Sequence, residues 1–266
     1  MSDALLETRE VARIFGGARP LFRRRRPLVR AVDGVSLAVP RGKTLGIVGE
    51  SGCGKSTLAR MMVGLLAPTS GDIALDGRSV AELARRDRKT LHRKVQMVFQ
   101  DPLGSLNPRK TVRHILEAPL IALHGMEAGA RRQRVAELMG LVSLRAEFAE
   151  RYPHEFSGGQ SQRIGIARAL AASPELIVLD EPVSALDVSV QAQVLKLLAD
   201  LQARLRLTFV FISHDLAVVE TIADDVAVMY LGKVVERGSR ESIFAAPQHA
   251  YTRLLLASSP GARRAS

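Results

Sequence analysis

Nine residues about a fifth of the way along the chain, Gly49-Glu50-Ser51-Gly52-Cys53-Gly54-Lys55-Ser56-Thr57, fit the pattern G-x-x-x-x-G-K-[ST]. A polyphosphate is held by successive backbone N–H groups, and side chains on the loop would block its approach; hence the glycines. Lys55 is placed to reach the β- and γ-phosphates, and the Ser56 hydroxyl to ligate Mg²⁺. A second chemistry is written further along, where the apolar run Leu176-Ile177-Val178-Leu179 ends in Asp180 and Glu181. In a phosphate-loop fold an acid at the strand end holds the Mg²⁺ shell, and the next acid can polarise an attacking water.

These residues need elements to position them. Thr44–Val48 reads as a short apolar strand running into the loop, and Leu58, Met61, Met62, Leu65 and Leu66 follow at helical spacing up to Pro68. The loop then opens a helix, whose N-terminal dipole favours anions. Cys53 sits inside the loop with no chemistry of its own, its thiol expected to be open to alkylating reagents. Val32, Val35, Leu37 and Val39 alternate as in a strand that Pro40-Arg41-Gly42 ends. Residues 73–75, closed by Asp76-Gly77, and residues 95–99 read as further strands. Residues 101–163 change to helical segments with charged faces, 130–139 among them, as an inserted helical region would. Continuous apolar strands return at 176–179 and 208–212, the kind buried on both faces. Between them Val190, Val194, Leu197, Leu198, Leu201 and Leu205 form one helical face. Residues 226–230 and 233–236 flank Leu231-Gly232 as a hairpin. Alternating strands and helices predict an α/β sheet.

Composition bounds the rest. With 266 residues, 47% apolar and 24% charged, the chain can bury a core and is not predominantly disordered. No apolar run reaches the ~18–20 residues that cross a bilayer, and the start has no apolar stretch behind a basic head. The single cysteine excludes an internal disulfide and a Cys-rich metal site. A soluble chain made in the cytosol is expected. The net charge is +11, and residues 1–30 hold eight arginines, Arg23–Arg26 in succession. Such a run suits nucleic acid or anionic lipid headgroups, or is a solvated loop.

Between the two chemical sites stands Phe156-Ser157-Gly158-Gly159-Gln160-Ser161-Gln162-Arg163. Ser157 is placed to cap a helix carrying Arg163, Ile166 and Leu170. The segment resembles the L-S-G-G-Q signature of the ATPase subunits of ATP-binding-cassette (ABC) transporters. Gln100 resembles the family's Q-loop, Ser184-Ala185-Leu186-Asp187 its D-loop, and His214 its switch histidine, all in family order. The resemblance implies the P-loop NTPase fold of ABC ATPases, an α/β RecA-like core with an N-terminal antiparallel β subdomain and an inserted helical signature subdomain. It implies one domain over residues 1–266: core and β subdomain in 1–100 and 164–240, helical subdomain in 101–163, and a short tail in 241–266.

It also implies a mechanism, in which two such domains close head to tail around two ATP molecules. Lys55, Ser56, Thr57, Gln100, Asp180, Glu181 and His214 would serve one ATP, with Ser56, Gln100 and Asp180 around Mg²⁺. Ser157, Gly159 and Gln160 would reach the γ-phosphate bound by the partner domain. Glu181 would be the general base, His214 would hold the γ-phosphate and water in line, and Asp187 would link the half-sites. Phe15 is the candidate for stacking on adenine, or else a core residue of the first strand.

Three stretches, at 100–109, 181–191 and 247–253 (the last reading Pro-Gln-His-Ala-Tyr-Thr-Arg), resemble the dipeptide/oligopeptide/nickel importer subfamily, particularly the second ATPase subunit of dipeptide systems. The chain departs from that pattern at Ser161, where Arg or Lys is usual, and at Ala250, where Pro is usual. With Cys53 its single cysteine, the cysteine-rich extension of some relatives is not expected here. The resemblance implies an ATP-hydrolysing subunit of a bacterial binding-protein-dependent peptide importer, peripheral on the cytoplasmic face of the inner membrane. Its partners would be two transmembrane permease subunits, a second ATPase subunit or another copy of itself, and indirectly an extracytoplasmic binding protein; nucleic acid is not expected. Leu103 and Leu106 would form a shallow pocket for a permease helix, and Arg23–Arg26 would face lipid headgroups. Nickel or glutathione as cargo stays open, as does the heterodimer. A soluble ABC protein acting on nucleic acid or ribosomes is the rival the charge suggests. An ATP-binding regulatory subunit is a third reading, against which Glu181 and the intact Ser-Gly-Gly-Gln stand.

Overall fold

The computed structural model describes residues 4–17 and 26–258. Along the chain the elements are β1 (Ala4–Gly17), β2 (Arg26–Pro40), β3 (Thr44–Val48), α1 (Lys55–Met62), β4 (Ser70–Leu75), β5 (Arg78–Ser79), α2 (Val80–Arg86), α3 (Arg88–Lys94) and β6 (Val95–Val98). There follow α4 (Val112–His124), α5 (Ala128–Leu141), α6 (Gly158–Leu170), β7 (Leu176–Asp180), α7 (Val188–Leu205) and β8 (Thr208–Ser213). The last are α8 (Leu216–Ile222), β9 (Asp225–Tyr230), β10 (Lys233–Ser239), α9 (Arg240–Ala245) and α10 (Ala250–Ser258). They group into two compact units, one running to Arg86 and resuming at Phe211, the other Asp87–Val210. Arg23–Arg25 of the basic run lie outside the described residues.

In the first unit β1 pairs antiparallel with both β2 and β4, in the order β2-β1-β4-β5. The alternation read in the sequence is the inward face of β2: Val32, Val35, Leu37 and Val39 are buried, while Gly34 and Ser36 are exposed. The predicted hairpin at Leu231-Gly232 and the turn that closes residues 73–75 share one device. Asp76-Gly77 and Leu231-Gly232 have φ of 53° and 72°, and of 45° and 84°. Two positive φ values make the mirror-image turn that suits twisted strands. β3 lies parallel to β9, which continues antiparallel into β10. Gly46 of β3 lets α8 come close: a Cβ there would fall 2.4 Å from Val219 Cγ1.

The helix after the phosphate loop is shorter than its spacing predicts. α1 stops at Met62, and Gly64 turns the chain at φ 75°, while the N–H groups of Leu65 and Leu66 both reach the Arg60 carbonyl, at 2.9 and 3.1 Å. Leu65, expected on the buried face, is 56% exposed.

In the second unit β6 and β7 pair in parallel. The predicted helical region contains α4 and α5, which each bury one stripe (Ile115, Leu116 and Leu120; Val135, Leu138 and Met139), and leads into α6, which is buried on most of its circumference, Ile164, Ile166 and Leu170 included. α7 buries Val194, Leu197, Leu198 and Leu201 as expected. Leu205 is exposed, because the helix ends at Arg206, which is left-handed at φ 54°. All five residues of β7 and all six of β8 are buried, as continuous apolar strands should be. Among the described residues no helix is long and apolar enough to cross a membrane.

Candidate functional site

The buried strand β3 delivers the chain to Gly49, and α1 begins at Lys55. The glycines between answer to crowding by neighbouring backbone as well as to phosphate approach. A Cβ on Gly49 would lie 2.2 Å from the Met229 carbonyl oxygen, and one on Gly54 2.0 Å from that of Ala31. Lys55 is buried, and its Nζ donates to the carbonyls of Gly49 at 2.6 Å and Glu50 at 2.9 Å. Ser51 and Gly52 are exposed, and Ser56 and Thr57 half-buried. The thiol of Cys53 corrects the sequence expectation: at 6% exposure it is buried, not open to reagents. Burial pushes the thiol above its ordinary value, and the nearby Lys55 ammonium only partly opposes that shift.

Two anchors of the loop come from distant sequence. The Gly232 N–H donates to the Cys53 carbonyl at 2.9 Å. The Tyr251 hydroxyl accepts the Glu50 N–H at 3.2 Å, across 201 residues. The first unit also holds Phe15 and His214. Phe15 is 39% exposed instead of lying in the core, with the Arg13 guanidinium 4.8 Å from its ring centroid. His214 is exposed in the turn after β8, and Asp215 caps α8 by accepting the Ala217 N–H at 2.9 Å.

In the second unit β7 ends in a buried carboxylate, Asp180 at 4% exposure. Glu181 follows at φ 48°, a left-handed conformation that costs a non-glycine residue ~1–3 kcal/mol. Gln100 Nε2 donates to Glu181 Oε2 at 3.0 Å, so two residues paired only by family resemblance meet directly. Ser184 Oγ donates to the Glu181 carbonyl at 3.1 Å. Gln191 Nε2 donates to the carbonyls of Val183 and Leu186, both at 3.0 Å, and fixes the Ser-Ala-Leu-Asp turn.

Ser157 caps α6 as predicted and does so reciprocally. Its Oγ accepts the Gln160 N–H at 3.3 Å, and Gln160 Oε1 accepts the Ser157 N–H at 3.0 Å. The signature turn packs on the Asp187 segment: a Cβ on Gly158 would sit 3.4 Å from Leu186 Cδ2, and one on Gly159 2.4 Å from Val190 Cγ1. Asp187 caps α7, accepting from Ser189 Oγ at 2.7 Å and the Val190 N–H at 3.0 Å, and the Ser189 bond most of all holds its carboxyl below the usual range. Further along α6, Arg168 donates to the Ser105 carbonyl at 2.6 Å and so ties that helix to the loop after Gln100. In that loop Leu103 is exposed and Leu106 buried, so only one of the two expected pocket residues offers apolar surface.

Sequence reasoning named the loop, the paired acids and the Ser157 cap, but it missed Asp187 and Asp215 as caps and Tyr251, Gln191 and Arg168 as holders of those parts. Tyr251 and Gln191 stand inside segments that resemble the importer subfamily, a signal of place without a signal of role.

The family model for ABC transporters matches residues 32–184. The oligopeptide transport ATP-binding protein AppF of Bacillus subtilis is 51% identical over 263 residues, covering 98% of this chain and 80% of the relative. The dipeptide transport ATP-binding proteins DppF of Haemophilus influenzae and Escherichia coli are 55% and 53% identical, over 87% and 88% of this chain and 71% and 70% of theirs. Among solved structures, cbiO1 from Clostridium perfringens, part of the ABC transporter complex cbiONQ, superposes with a TM-score of 0.79 at 27% identity, over 92% of each chain. The ATP-binding cassette MJ0796, in a dimeric post-hydrolysis state bound to ADP and Pi, superposes with a TM-score of 0.77 at 29% identity, over 88% of this chain and 98% of that one. Motif order, fold and relatives agree: the chain belongs to the ABC transporter family and has the α/β P-loop fold of its ATP-binding cassettes.

Proposed function

We propose that the chain is the ATP-hydrolysing motor subunit of a bacterial binding-protein-dependent importer for di- and oligopeptides. The observation that carries this reading is its 51–55% identity with ATP-binding proteins of oligopeptide and dipeptide transport. The loop amides of residues 49–57 and the Lys55 ammonium bind the β- and γ-phosphates, with the α1 dipole behind them. Lys55 exchanges two loop carbonyls for phosphate oxygens, a stronger, charge-assisted pairing. Glu181 takes the proton of the attacking water, its carboxylate oriented by the Gln100 amide. His214 holds the γ-phosphate and the water in line, and Phe15 offers an exposed ring to adenine.

The residues suit Mg²⁺: the Ser56 hydroxyl, the Gln100 amide carbonyl and the buried Asp180 carboxylate are all oxygen donors. The ion, when bound, neutralises charge on the β- and γ-phosphate oxygens. Ser157, Gly159 and Gln160 donate to the γ-phosphate held by a second ATPase domain, a copy of this chain or a sibling, and Asp187 links the two half-sites. Closure of the pair is the power stroke, since ATP shifts the equilibrium by binding the closed state better. The segment 101–163, with exposed Leu103, receives a coupling helix from each of two permeases, while residues 1–100 and 164–240 carry the nucleotide core. An extracytoplasmic binding protein delivers the peptide, and the subunit works on the cytoplasmic face of the inner membrane.

Titration calorimetry and phosphate release test the ATPase directly. Wild-type chain binds Mg-ATP. Lys55→Ala weakens binding by about tenfold or more, as loss of a charge-assisted contact implies. Glu181→Gln binds as wild type but turns over about 10²-fold more slowly or worse. Unchanged affinity in Lys55→Ala, or unchanged turnover in Glu181→Gln, contradicts the assignments.

A further inference from the structure

The segment 247–253 makes no contribution to the chemistry described above, yet it is built with care. Glu236 of β10 accepts the N–H groups of Gln248 at 2.7 Å and His249 at 3.0 Å. His249 Nδ1 then accepts the Tyr251 N–H at 3.1 Å and opens α10. Arg253 closes the turn from the other side, donating to the carbonyls of Pro247 at 3.1 Å and Gln248 at 2.7 Å. The result is one fixed side chain. The Tyr251 ring is buried against Tyr230, centroids 4.3 Å apart, and its hydroxyl accepts the Glu50 N–H.

We propose that Tyr251 is a positioning residue for the phosphate loop, and that the 247–253 segment serves to hold it there. The Gly49–Glu50 peptide is gripped on both edges, Tyr251 taking the Glu50 N–H and Lys55 the Gly49 carbonyl. The far end of the loop is gripped by Gly232 on the Cys53 carbonyl. The stretch between the two anchors, Ser51 and Gly52, is exposed. Fixing both ends sets the direction of the amides that a phosphate needs, before it arrives, and lowers the ordering cost of binding. Losing the hydroxyl also removes the acceptor that holds the Glu50 N–H, and a phenyl ring cannot replace it. Because the tyrosine acts on the loop and not on the water or its base, it governs nucleotide affinity and leaves the chemical step alone.

The inference rests on the ATP-binding reading, so its test has one readout that does not. In the full-length chain without nucleotide, Tyr251→Phe speeds hydrogen exchange of the Glu50 amide by about tenfold. In turnover assays it raises KM for Mg-ATP about five- to tenfold with kcat within about twofold. Protection of α10 stays at its wild-type value, because the ring still packs on Tyr230. Glu236→Ala, which frees the segment from β10 without touching the tyrosine, gives the same rise in KM. Unchanged exchange at Glu50, or an unchanged KM in a chain that turns over ATP, leaves Tyr251 a packing residue and overturns the proposal. A wild-type chain that binds no Mg-ATP sinks the ATP reading instead, and exchange at Glu50 still decides whether Tyr251 holds the loop.

Discussion

Cys53 is where residue type and residue environment part most clearly. Its position in the loop suggested a reachable thiol, but burial against the loop and Lys55 keeps the sulfur covered and neutral. A thiol raised above its unfolded value adds stability that is full below about pH 9 and lost as pH climbs through the folded value. Alkylation of the native chain at pH 8 is therefore expected to be about tenfold slower or worse than in denaturant; equal rates would contradict a buried thiol. At this scale the sequence is informative where a chemistry demands a local spacing. The 49–57 loop, the Asp180-Glu181 pair and the Ser157 cap are each written within a single stretch of a few residues. Gln191, Arg168 and Tyr251 do their work through hydrogen bonds to main-chain carbonyl or N–H groups, and a backbone partner leaves no mark in residue type. For Tyr251 that partner is 201 residues away.

Single elements follow from short-range signals where those signals are stereochemical. Asp76-Gly77 and Leu231-Gly232 supply the two positive φ values of their hairpins, and Ser157 with Gln160 supplies the reciprocal cap of α6. Apolar spacing alone is weaker: it ran on past Met62 and kept Leu205 on the buried face, because Gly64 and Arg206 end those helices by turning left-handed. Ala250, where the subfamily pattern that 247–253 resembles has proline, is the first residue of α10, a position that favours proline but asks only for helical φ. The helix therefore survives the replacement. The capping box gives an element-scale prediction. Ser157→Ala removes the acceptor for the Gln160 N–H and is expected to lower unfolding stability by about 1 kcal/mol in a denaturant titration. Ser157→Gly costs only a few tenths. If both variants matched wild type, the cap would carry no weight.

For the molecule as a whole, composition bounded the class and the order of motifs supplied the family. Strand pairing such as β3 beside β9, far apart in sequence, was not legible, since register is decided by contacts that no local window contains. The charge of +11 did not discriminate between a lipid face, nucleic acid and a wet loop. The central claim is that this chain drives permeases with ATP. The most direct test traps the Glu181→Gln chain with Mg-ATP and identifies what co-purifies from detergent-solubilised native membranes. The expected result is two permease subunits together with a second ATPase subunit or another copy of this chain, retained in Mg-ATP and released without it. Recovery of ribosomal proteins or nucleic acid with no permease, in either condition, would contradict the importer and return the charge to the centre of the explanation.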